Sequence, residues 1–390
     1  MHIVIFTHPE YSSSQSMPRF ARMLSDGMKR LGHTVEFWSP KPTFYSLDAP
    51  PFCKKWLGYM DQFILFPWRV RKQLKRCSAN TLFVFADQAL GPWVPLVASR
   101  PHVIHCHDFL AQRSALGEIS ENPTSWTGKR YQAYIRQGYR QGRNFISISM
   151  KTQADLHQFL NTVPACSEVV YNGVNSIFKP GDSQRSRAIL GEKIAVDLSG
   201  GYLLHVGGND WYKNRKGVIR IYDAWRQQYR RNLPLVLIGP KPSDDSLQLV
   251  EKSVFKNDIH FLTDVDDQLL LHAYRGALLF LFPSLAEGFG WPIAEAMACG
   301  CRVLTTGEAP MTEVAGKAAA FISRMPQSEA GKPQWVTEGA QAIEKILAES
   351  AEQRQAFIDE GFETIKRYDS EKTTARIEKI YTTVLSQYVS

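Results

Sequence analysis

Long apolar runs are missing from this chain. The longest, such as residues 277–283 (ALLFLFP), fall far short of the roughly 20 residues that cross a bilayer. The start, MHIVIF, has no basic leader and too short an apolar run for a signal peptide, so we interpret it as a buried first strand. These absences favour a globular protein, and 390 residues are enough for two domains.

Cysteines are few and form no motif. The six cysteines show neither CxxC spacing nor a dense framework, which is typical of free thiols in a reducing compartment. We therefore predict a cytoplasmic location.

Acidic residues are also in deficit, 38 against 46 lysines and arginines, so the net charge is +8. This charge favours anionic partners such as nucleotides or lipid surfaces, while a simple solubility charge is the other interpretation.

Apolar β-rich segments alternate with helical patterns along the sequence. The first series is HIVIF, TVEFW, TLFVFA, HVIHCH and NFISIS, and the second, after the polar residues 178–200, is YLLHVGG, LPLVLIG, IHFL, ALLFLFPS and CRVLTT. This alternation predicts parallel sheets covered by helices on both faces. We expect two doubly wound α/β domains, residues 1–185 and 186–370, facing across a cleft at the carboxyl ends of their strands. Residues 371–390 are predicted to form a helix that packs back on the first domain.

Residues 287–295, EGFGWPIAE, lie between an apolar strand and a helix that starts at a proline. Gly288 and Gly290 permit close backbone approach, and the helix N-terminus presents unpaired N–H groups, so the turn suits a diphosphate. Glu287 precedes the helix and Glu295 lies about one turn inside it, which fits two parts of an elongated nucleotide sugar. The alternative is that Glu295 complements the helix dipole and Glu287 is a solvated loop acid.

The run PSLAEGFGWPIAEAMACGCRVLTT resembles the donor-site signature of the retaining GT-B glycosyltransferases of family 4, in which seven residues separate two glutamates. Other stretches agree in the right order: RLGHTVEFW, HCHD, VVYNGVNSIFKP, HVGGNDWYKN and VLIG. The similarity covers nearly the whole chain. It implies two Rossmann-like domains and a retaining transfer that needs neither a metal nor another cofactor.

The resemblance also implies roles for single residues of the EGFGWPIAE turn. Glu287 would contact the transferred sugar, and Glu295 would bind the ribose. Backbone groups at Phe289 and Gly290, next to Gly288, would hold the sugar and the diphosphate.

A basic residue for the β-phosphate is implied in the loop GGNDWYKNRKG, where Lys213 is the best match. A fixed ammonium there would stabilise the departing diphosphate, while a solvated basic loop is the alternative. Arg215 and Lys216 are further candidates. Many relatives have an arginine where this chain has Gly208. Which residues bind the phosphates is therefore left undecided by the sequence. Gly239, at the end of VLIG, completes the donor-side set.

The stretch HVIHCHD ends a strand of the first domain and places His107 and Asp108 at its carboxyl edge. The resemblance suggests that His107 lies near the reacting face of the sugar, where a neutral imidazole accepts or donates a hydrogen bond. A structural role is the alternative, more so for His105. We place Ser14 and Ser16, from the serine run after the first strand, with Asp108 on the acceptor side. The HxHD pattern lacks third and fourth ligands, so we predict no metal site.

Residues 52–76 interleave aromatic with basic residues. Pro67 is predicted to interrupt a helix before a basic turn, and five residues are predicted on one face of that helix: Trp56, Tyr59, Met60, Phe63 and Ile64. A membrane interface with anionic lipid is one interpretation, and a core-packed helix followed by a solvated basic one is the other. Since the segment matches no nucleic-acid module, we predict no nucleic-acid partner.

Together with these residues, the resemblance implies a retaining hexosyltransferase that uses a UDP- or GDP-linked sugar. The acceptor would be a glycan, a lipid-linked molecule or a small molecule in surface polysaccharide or glycoconjugate synthesis. Two alternatives stay open: a non-catalytic scaffold that binds nucleotide sugars, and an epimerase or small-glycoside synthase with the same fold. The absence of GxGxxG in HPEYSSSQSM argues against an NAD dehydrogenase.

Overall fold

The structure, a computed structural model, describes residues 1–11 and 16–389, without the side chains of Ser16 and Val389. The chain divides into two compact units, Met1–Tyr171 with Glu371–Ser390, and Asn172–Ser370. Each unit contains a six-stranded sheet in which every strand pairing is parallel. The α/β prediction with two doubly wound sheets is therefore confirmed.

The first unit contains six strands in the order β2-β1-β3-β4-β5-β6. The strands are β1 (His2–Phe6), β2 (Thr34–Trp38), β3 (Thr81–Phe85), β4 (His102–Cys106), β5 (Asn144–Ser147) and β6 (Cys166–Val169). The helices between them are α1 (Ser16–Arg30), α2 (Pro51–Met60), α3 (Phe66–Leu74), α4 (Leu110–Leu116), α5 (Trp126–Tyr139) and α6 (Met150–Phe159), with a 3-10 segment at Gln88–Leu96.

The core of the first unit is built on the two central strands, which are buried along their whole length because helices cover both faces of the sheet. Every residue of β3 and β4 is buried. Phe6 stacks on Phe85 with ring centroids 4.6 Å apart. Trp38 and Phe66 each pack edge-on against the ring of Phe6. Such aromatic contacts add to the free energy of apolar burial.

The second unit contains six strands in the order β12-β11-β10-β7-β8-β9. The strands are β7 (Leu203–Val206), β8 (Leu235–Ile238), β9 (Ile259–Leu262), β10 (Leu279–Phe282), β11 (Val303–Thr306) and β12 (Ala319–Ile322). The α-helices are α7 (Ser183–Ile194), α8 (Arg215–Tyr229), α9 (Asp244–Glu251), α10 (Asp267–Gly276), α11 (Trp291–Ala298), α12 (Met311–Ala315), α13 (Lys332–Leu347) and α14 (Ala351–Ile365). Short 3-10 turns occupy Trp211–Lys213, Lys256–Asp258, Glu329–Gly331 and Lys366–Tyr368.

The last helix, α15 (Ser370–Val389), packs on the first unit. Ile377, Tyr381 and Val384 are buried, and the Tyr381 hydroxyl lies 2.6 Å from Nε2 of His105. The expected return of the C-terminal helix to the first domain is thus present.

The segment that follows Tyr171 groups with the second unit, whereas the sequence placed the domain boundary at residue 185. Val174 forms a β-bridge with Asp369, and the Arg275 Nε donates to the carbonyl of Lys179. These contacts are made over long sequence separations, which composition does not reveal.

The helix over residues 51–74 differs from its prediction in two respects. Pro67 does not interrupt it, because the chain passes from α2 through a π-helical turn at Asp61–Leu65 into α3, where Pro67 takes one of the first positions. The carbonyl of Gln62, which Pro67 cannot serve because it has no N–H, accepts instead from the Trp93 indole at 3.0 Å. The five residues predicted on one face also divide, since Tyr59 and Phe63 contact Tyr131 while Trp56, Met60 and Ile64 are exposed.

No helix within residues 1–11 and 16–389 is long and apolar enough to span a membrane.

Candidate functional site

The strand order of the second unit marks the place where a ligand is expected. The chain continues from β7 to β8 on one side of the sheet, while β10 pairs with β7 on the other side. Open parallel sheets bind ligands at the carboxyl ends of strands where the order reverses in this way. The loops that follow β7 and β10 therefore form the candidate site.

Lys213 and Glu287, one from each of these loops, form an ion pair at this switch point. The Lys213 Nζ donates to both carboxylate oxygens of Glu287, at 2.8 and 3.0 Å. The Ser284 hydroxyl donates to the same carboxylate at 2.8 Å. Both charged side chains are largely buried, with 15% of Lys213 and 7% of Glu287 exposed, so solvent screens their attraction only weakly. The structure thus brings together two residues for which the sequence predicted separate roles, Glu287 toward the sugar and Lys213 toward the phosphate.

Hydrogen bonds between the two loops hold this pair in place. Leu285 N donates to the carbonyl of Tyr212 at 2.7 Å, and Asn214 Nδ2 donates to the carbonyl of Pro283 at 3.0 Å. Asn214 adopts a left-handed conformation with φ of 53°, a conformation that asparagine tolerates better than most residues. The backbone strain at Asn214 is therefore small, and the two hydrogen bonds hold the loops in one arrangement.

Arg215 begins α8, two residues after Lys213, and its buried side chain is only partly hydrogen-bonded. Its Nη1 donates to Asn209 Oδ1 and to the carbonyl of Pro240, each at 3.0 Å. Its Nε and Nη2 have no hydrogen-bond partner in the part of the chain that the structure describes. Burial lowers the pKa of Arg215 from its ordinary value. A buried guanidinium with two unpaired nitrogens is costly, and its positive charge favours an anion at this edge of the sheet.

Gly239 lets the backbone pass close to Arg215. A Cβ at residue 239 would lie 2.1 Å from the carbonyl oxygen of Gly207 and 2.6 Å from Nη2 of Arg215. Its φ of 151° is a further obstacle to any other residue. Gly239 is therefore required for the packing of this loop. At Gly208 a Cβ would lie 3.0 Å from the Asp210 carboxylate, a contact that a small movement of Asp210 relieves.

Two helices begin at the same edge of the sheet. Helix α8 starts at Arg215, next to Lys213, and α11 starts at Trp291 after Gly290, whose φ of 97° favours glycine. The first N–H groups of a helix have no intrahelical acceptor and carry positive dipole character. Together with Lys213, the two helix starts supply the kind of environment that binds a diphosphate.

The remaining donor-side candidates take different positions. Glu295 is buried in α11 and accepts a hydrogen bond from the Tyr274 hydroxyl at 3.2 Å. Phe289, after Gly288 in the loop, is buried with its ring 5.3 Å from that of Tyr368. Their roles toward ribose and sugar stay predictions.

Lys216 is not brought to the ion pair. Its side chain is half exposed and its Nζ lies 3.0 Å from Oδ2 of Asp245, in α9.

The first unit has its own switch point, between β1 and β3, because β2 pairs with β1 on the other side. His8 follows β1 and Asp87 follows β3, and His8 Nε2 lies 2.8 Å from Oδ2 of Asp87. The second oxygen of Asp87 accepts from Ala89 N at 2.9 Å. Burial raises the pKa of Asp87, but the hydrogen bond from His8, electrostatic interactions with His8 and His107, and the Ala89 amide outweigh it, so the pKa is lowered. Asp87 is therefore ionised at neutral pH.

Sequence reasoning missed His8 and Asp87, which are 79 positions apart. The available signal was their position, since each lies two residues beyond the end of a strand. The pairing itself depends on the order of the strands, which no local pattern encodes.

His107 is buried beside this pair as a neutral imidazole. Its Nε2 donates to the carbonyl of Ala86 at 2.8 Å, and its backbone N–H donates to Oε1 of Gln88 at 2.8 Å. Burial lowers its pKa, against the opposing effects of Asp87 and the Ala86 carbonyl. His105 makes a structural contact instead, with Tyr381, and burial together with its electrostatic interaction with His107 lowers its pKa to about 3.

A polar cavity of about 250 Å³ opens at the ends of β3 and β4. Its lining includes the polar residues Asp87, Gln88, His107, Asp108, Gln112 and Gln132, and the apolar Met17, Phe109 and Ile135. Amides and carboxylates without a lysine or arginine suit the hydroxyls of a neutral sugar better than a phosphate. Of the acceptor-side candidates, Asp108 lines this cavity, Ser16 begins α1, and Ser14 lies outside the described residues.

Within the described ranges, no group of three or more histidines, cysteines, aspartates and glutamates is arranged to hold a metal ion.

The fold is that of the GT-B glycosyltransferases. The structure matches HepE from Anabaena, solved in complex with UDP and glucose, with a TM-score of 0.72 at 16% identity over 98% of this chain and 100% of HepE. It also matches WaaG, a glycosyltransferase involved in lipopolysaccharide biosynthesis, with a TM-score of 0.71 at 16% identity over 97% of this chain and 99% of WaaG. At these identities the likeness defines the fold.

The family follows from the sequence. Residues 187–364 match the family description "Glycosyl transferases group 1", and residues 17–176 match "Glycosyltransferase Family 4". The chain is thus a family 4-like glycosyltransferase of the GT-B fold. A similar curated relative is the O-antigen chain mannosyltransferase B of Escherichia coli, 37% identical over 30% of this chain and 32% of the relative. The matched stretch spans about a third of that relative's own length.

Proposed function

We propose that this chain transfers a hexose, with retention of configuration, from a nucleoside-diphosphate sugar to a saccharide acceptor. The observation that carries the proposal is the buried Lys213–Glu287 ion pair at the switch point of the second unit. Mannose is the first sugar to test because the curated relative is an O-antigen mannosyltransferase. A non-catalytic scaffold would bind the same nucleotide sugar without transferring it, so a transfer assay distinguishes the two functions.

The diphosphate of the donor would bind between Lys213 and the starts of α8 and α11. It would compete with Glu287 for the Lys213 ammonium, and the buried charge of Arg215 would favour its negative charge. Glu287, released from Lys213, would then accept hydrogen bonds from hydroxyls of the sugar. Binding would thus exchange an internal ion pair for one with the ligand.

The reaction would break the bond between the anomeric carbon and the phosphate oxygen, and the electron pair would leave with the nucleoside diphosphate. The acceptor oxygen would bond to the anomeric carbon from the same face, and its proton would pass to the departing phosphate. Lys213, Arg215 and the helix starts would stabilise the negative charge that develops on the leaving group. Fixed positive groups of this kind perform the task that a metal ion has in other transferases, so we propose a metal-independent reaction.

The acceptor would bind in the polar cavity of the first unit. His8 and Asp87 lie at the switch point of that sheet, and the cavity lining suits neutral sugar hydroxyls. We propose a glycan or lipid-linked saccharide as the acceptor, in the synthesis of a surface polysaccharide such as O-antigen. The six free thiols support a cytoplasmic site for this reaction.

The test starts with donor binding. UDP, GDP and ADP and their hexose conjugates are titrated into the chain by calorimetry and thermal shift, with Lys213→Ala as the test variant. Lys252→Ala, an exposed lysine of the same unit, is the matched control. One nucleoside diphosphate should stabilise the wild type and the control and bind Lys213→Ala at least about tenfold more weakly.

Transfer is measured next, with the selected donor and mannose-terminated oligosaccharides as acceptors. NMR of the first-formed product should show the same anomeric configuration as the donor, and EDTA should leave the rate unchanged. No binding of any of these nucleotides by the wild type would refute the proposal, and binding without transfer to any acceptor would favour the scaffold.

A further inference from the structure

The helical run over residues 51–74 exposes a row of large apolar side chains. These residues, the exposed stripe, are Phe52, Trp56, Met60, Ile64 and Trp68, and they are between 36% and 76% exposed. They follow one another at intervals of four, so they lie along one side of the helix. Contiguous exposed apolar surface of this kind marks an interaction site more often than single exposed residues do.

The opposite side of the same helix is well packed. Phe66 and Val70 belong to the core of the first unit, and the carboxylate of Asp61 accepts from the backbone N–H groups of Phe44 and Tyr45, each at 2.9 Å. The Trp93 indole donates to the carbonyl of Gln62 at 3.0 Å. The helix therefore has a complete buried face, and the exposed stripe is a second apolar face in addition to it.

The π-helical turn at Asp61–Leu65 keeps the exposed stripe straight. In a regular α-helix, residues four apart are about 40° out of line, so five residues at this interval would wind around the axis. A π-helical turn contains more residues per turn and rotates the chain back in the opposite sense. Met60 directly precedes this turn and Ile64 lies within it, so the two stay in line with Trp56 and Trp68.

Unpaired cations lie directly beside the stripe. A surface cavity of about 450 Å³ is lined by Lys41, Arg69, Lys72, Gln73 and Arg76 and is called the basic cavity here. Lys72 Nζ lies 4.0 Å from the ring centroid of Trp68, so the basic cavity and the exposed stripe are continuous. Among the residues that the structure describes, none of its four cations forms an ion pair. Four like charges around one cavity repel one another, and an anion would relieve that repulsion.

We propose that the exposed stripe and the basic cavity form a docking surface for an anionic phospholipid bilayer. The stripe would lie in the interfacial region, with Trp56 and Trp68 at headgroup level, and the basic cavity would hold lipid phosphates. Interfacial helices combine these two features, an apolar face and lysines or arginines toward the anionic headgroups. Single-stranded nucleic acid fits less well because Met60 and Ile64 offer no ring for base stacking.

The experiment measures co-sedimentation of the full chain with phosphatidylcholine vesicles, with and without phosphatidylglycerol. One variant removes three charges of the basic cavity, Arg69→Gln, Lys72→Gln and Arg76→Gln. Its matched control removes three exposed charges elsewhere, Lys129→Gln, Lys252→Gln and Lys317→Gln. A second variant, Trp56→Ser with Trp68→Ser, removes apolar surface, and its control is Val163→Ser with Val254→Ser, both exposed. Thermal unfolding midpoints verify that all variants fold.

The wild type should bind the phosphatidylglycerol vesicles and leave the phosphatidylcholine ones largely unbound. Each cavity charge should contribute about fivefold, so the triple variant should bind about a hundredfold more weakly, and its control much less so. The tryptophan variant should also bind at least about tenfold more weakly than its control. Equal binding by the triple variant and its control would overturn the proposal, as would tight binding to an oligonucleotide with no binding to vesicles.

Measuring nucleoside-diphosphate affinity in the same variants tests the proposed function independently of the docking surface. Because the docking surface and the nucleotide site share no residue, loss of vesicle binding should leave nucleoside-diphosphate affinity unchanged.

Discussion

The ammonium of Lys213 lies within hydrogen-bond distance of both carboxylate oxygens of Glu287, at 2.8 and 3.0 Å. The two residues are 74 positions apart and follow two adjacent strands, β7 and β10. In the absence of a ligand, each charge is compensated by the other, so the site is stable when empty. A ligand that binds Lys213 must also satisfy Glu287, and a diphosphate joined to a hydroxyl-rich sugar meets both demands.

Glu287→Gln should separate binding from transfer. The amide no longer neutralises Lys213, so nucleoside-diphosphate affinity should stay the same or rise, while the transfer rate should fall by about 10²-fold or more because a charged contact to the sugar is lost. Calorimetry with the diphosphate and initial rates of transfer measure the two effects. A parallel loss of diphosphate binding in the folded variant would contradict this account of the pair.

Arg215→Met should weaken diphosphate binding without destabilising the empty protein. Methionine fills much of the same volume and removes a buried charge that has two unpaired nitrogens, which offsets the lost bonds to Asn209 and Pro240. We expect about tenfold weaker binding and an unchanged or higher urea midpoint. A clearly lower midpoint with unchanged affinity would assign Arg215 a purely structural role.

Asp87→Asn should act on the acceptor and leave the donor site intact. The substitution removes the charge that orients His8 and lines the polar cavity. The KM for the saccharide acceptor should rise several-fold and kcat should fall, with the diphosphate affinity unchanged. Asp26→Asn, at an exposed position of the same unit, is the control. Wild-type acceptor kinetics in Asp87→Asn would exclude the cavity as the acceptor site.

Acid should destabilise both units through buried histidines. Burial, with the electrostatic interaction with His107, lowers the pKa of His105 to about 3, and burial, with the charges of Arg215 and Lys213, lowers the pKa of His205 to about 3. Below pH 6.5 both histidines are protonated in the unfolded chain but stay neutral in the folded chain. Stability is therefore full above pH 6.5 and falls towards pH 3, by up to about 1.4 kcal/mol per pH unit for each histidine.

Urea unfolding of the wild type and of His105→Gln, followed between pH 7 and pH 4, measures this effect. The variant keeps a hydrogen-bonding side chain opposite Tyr381 but has no titrating group, so its unfolding free energy should fall less steeply with acid. Identical slopes for the two proteins would show that His105 does not carry this part of the acid sensitivity.

Local patterns in the sequence were enough to predict the two parallel sheets and the turns that carry the site. Glu287 was recognised because it follows an apolar strand and precedes a helix start, and Lys213 because its loop, GGNDWYKNRKG, resembles the phosphate-binding loop of the family. The identity of the residues at strand ends is thus a property of the sequence alone.

Only the tertiary structure decided which of these residues meet. Strand order is set by packing across the whole sheet, so neither the Lys213–Glu287 pair nor the His8–Asp87 pair has a local signature. The same holds for residues 51–74, where the periodicity predicted an amphipathic helix but not which of its aromatic residues would be buried. Tyr59 and Phe63 turned inward because Tyr131, some 70 positions away, lies against them, and the exposed stripe is what that packing leaves uncovered.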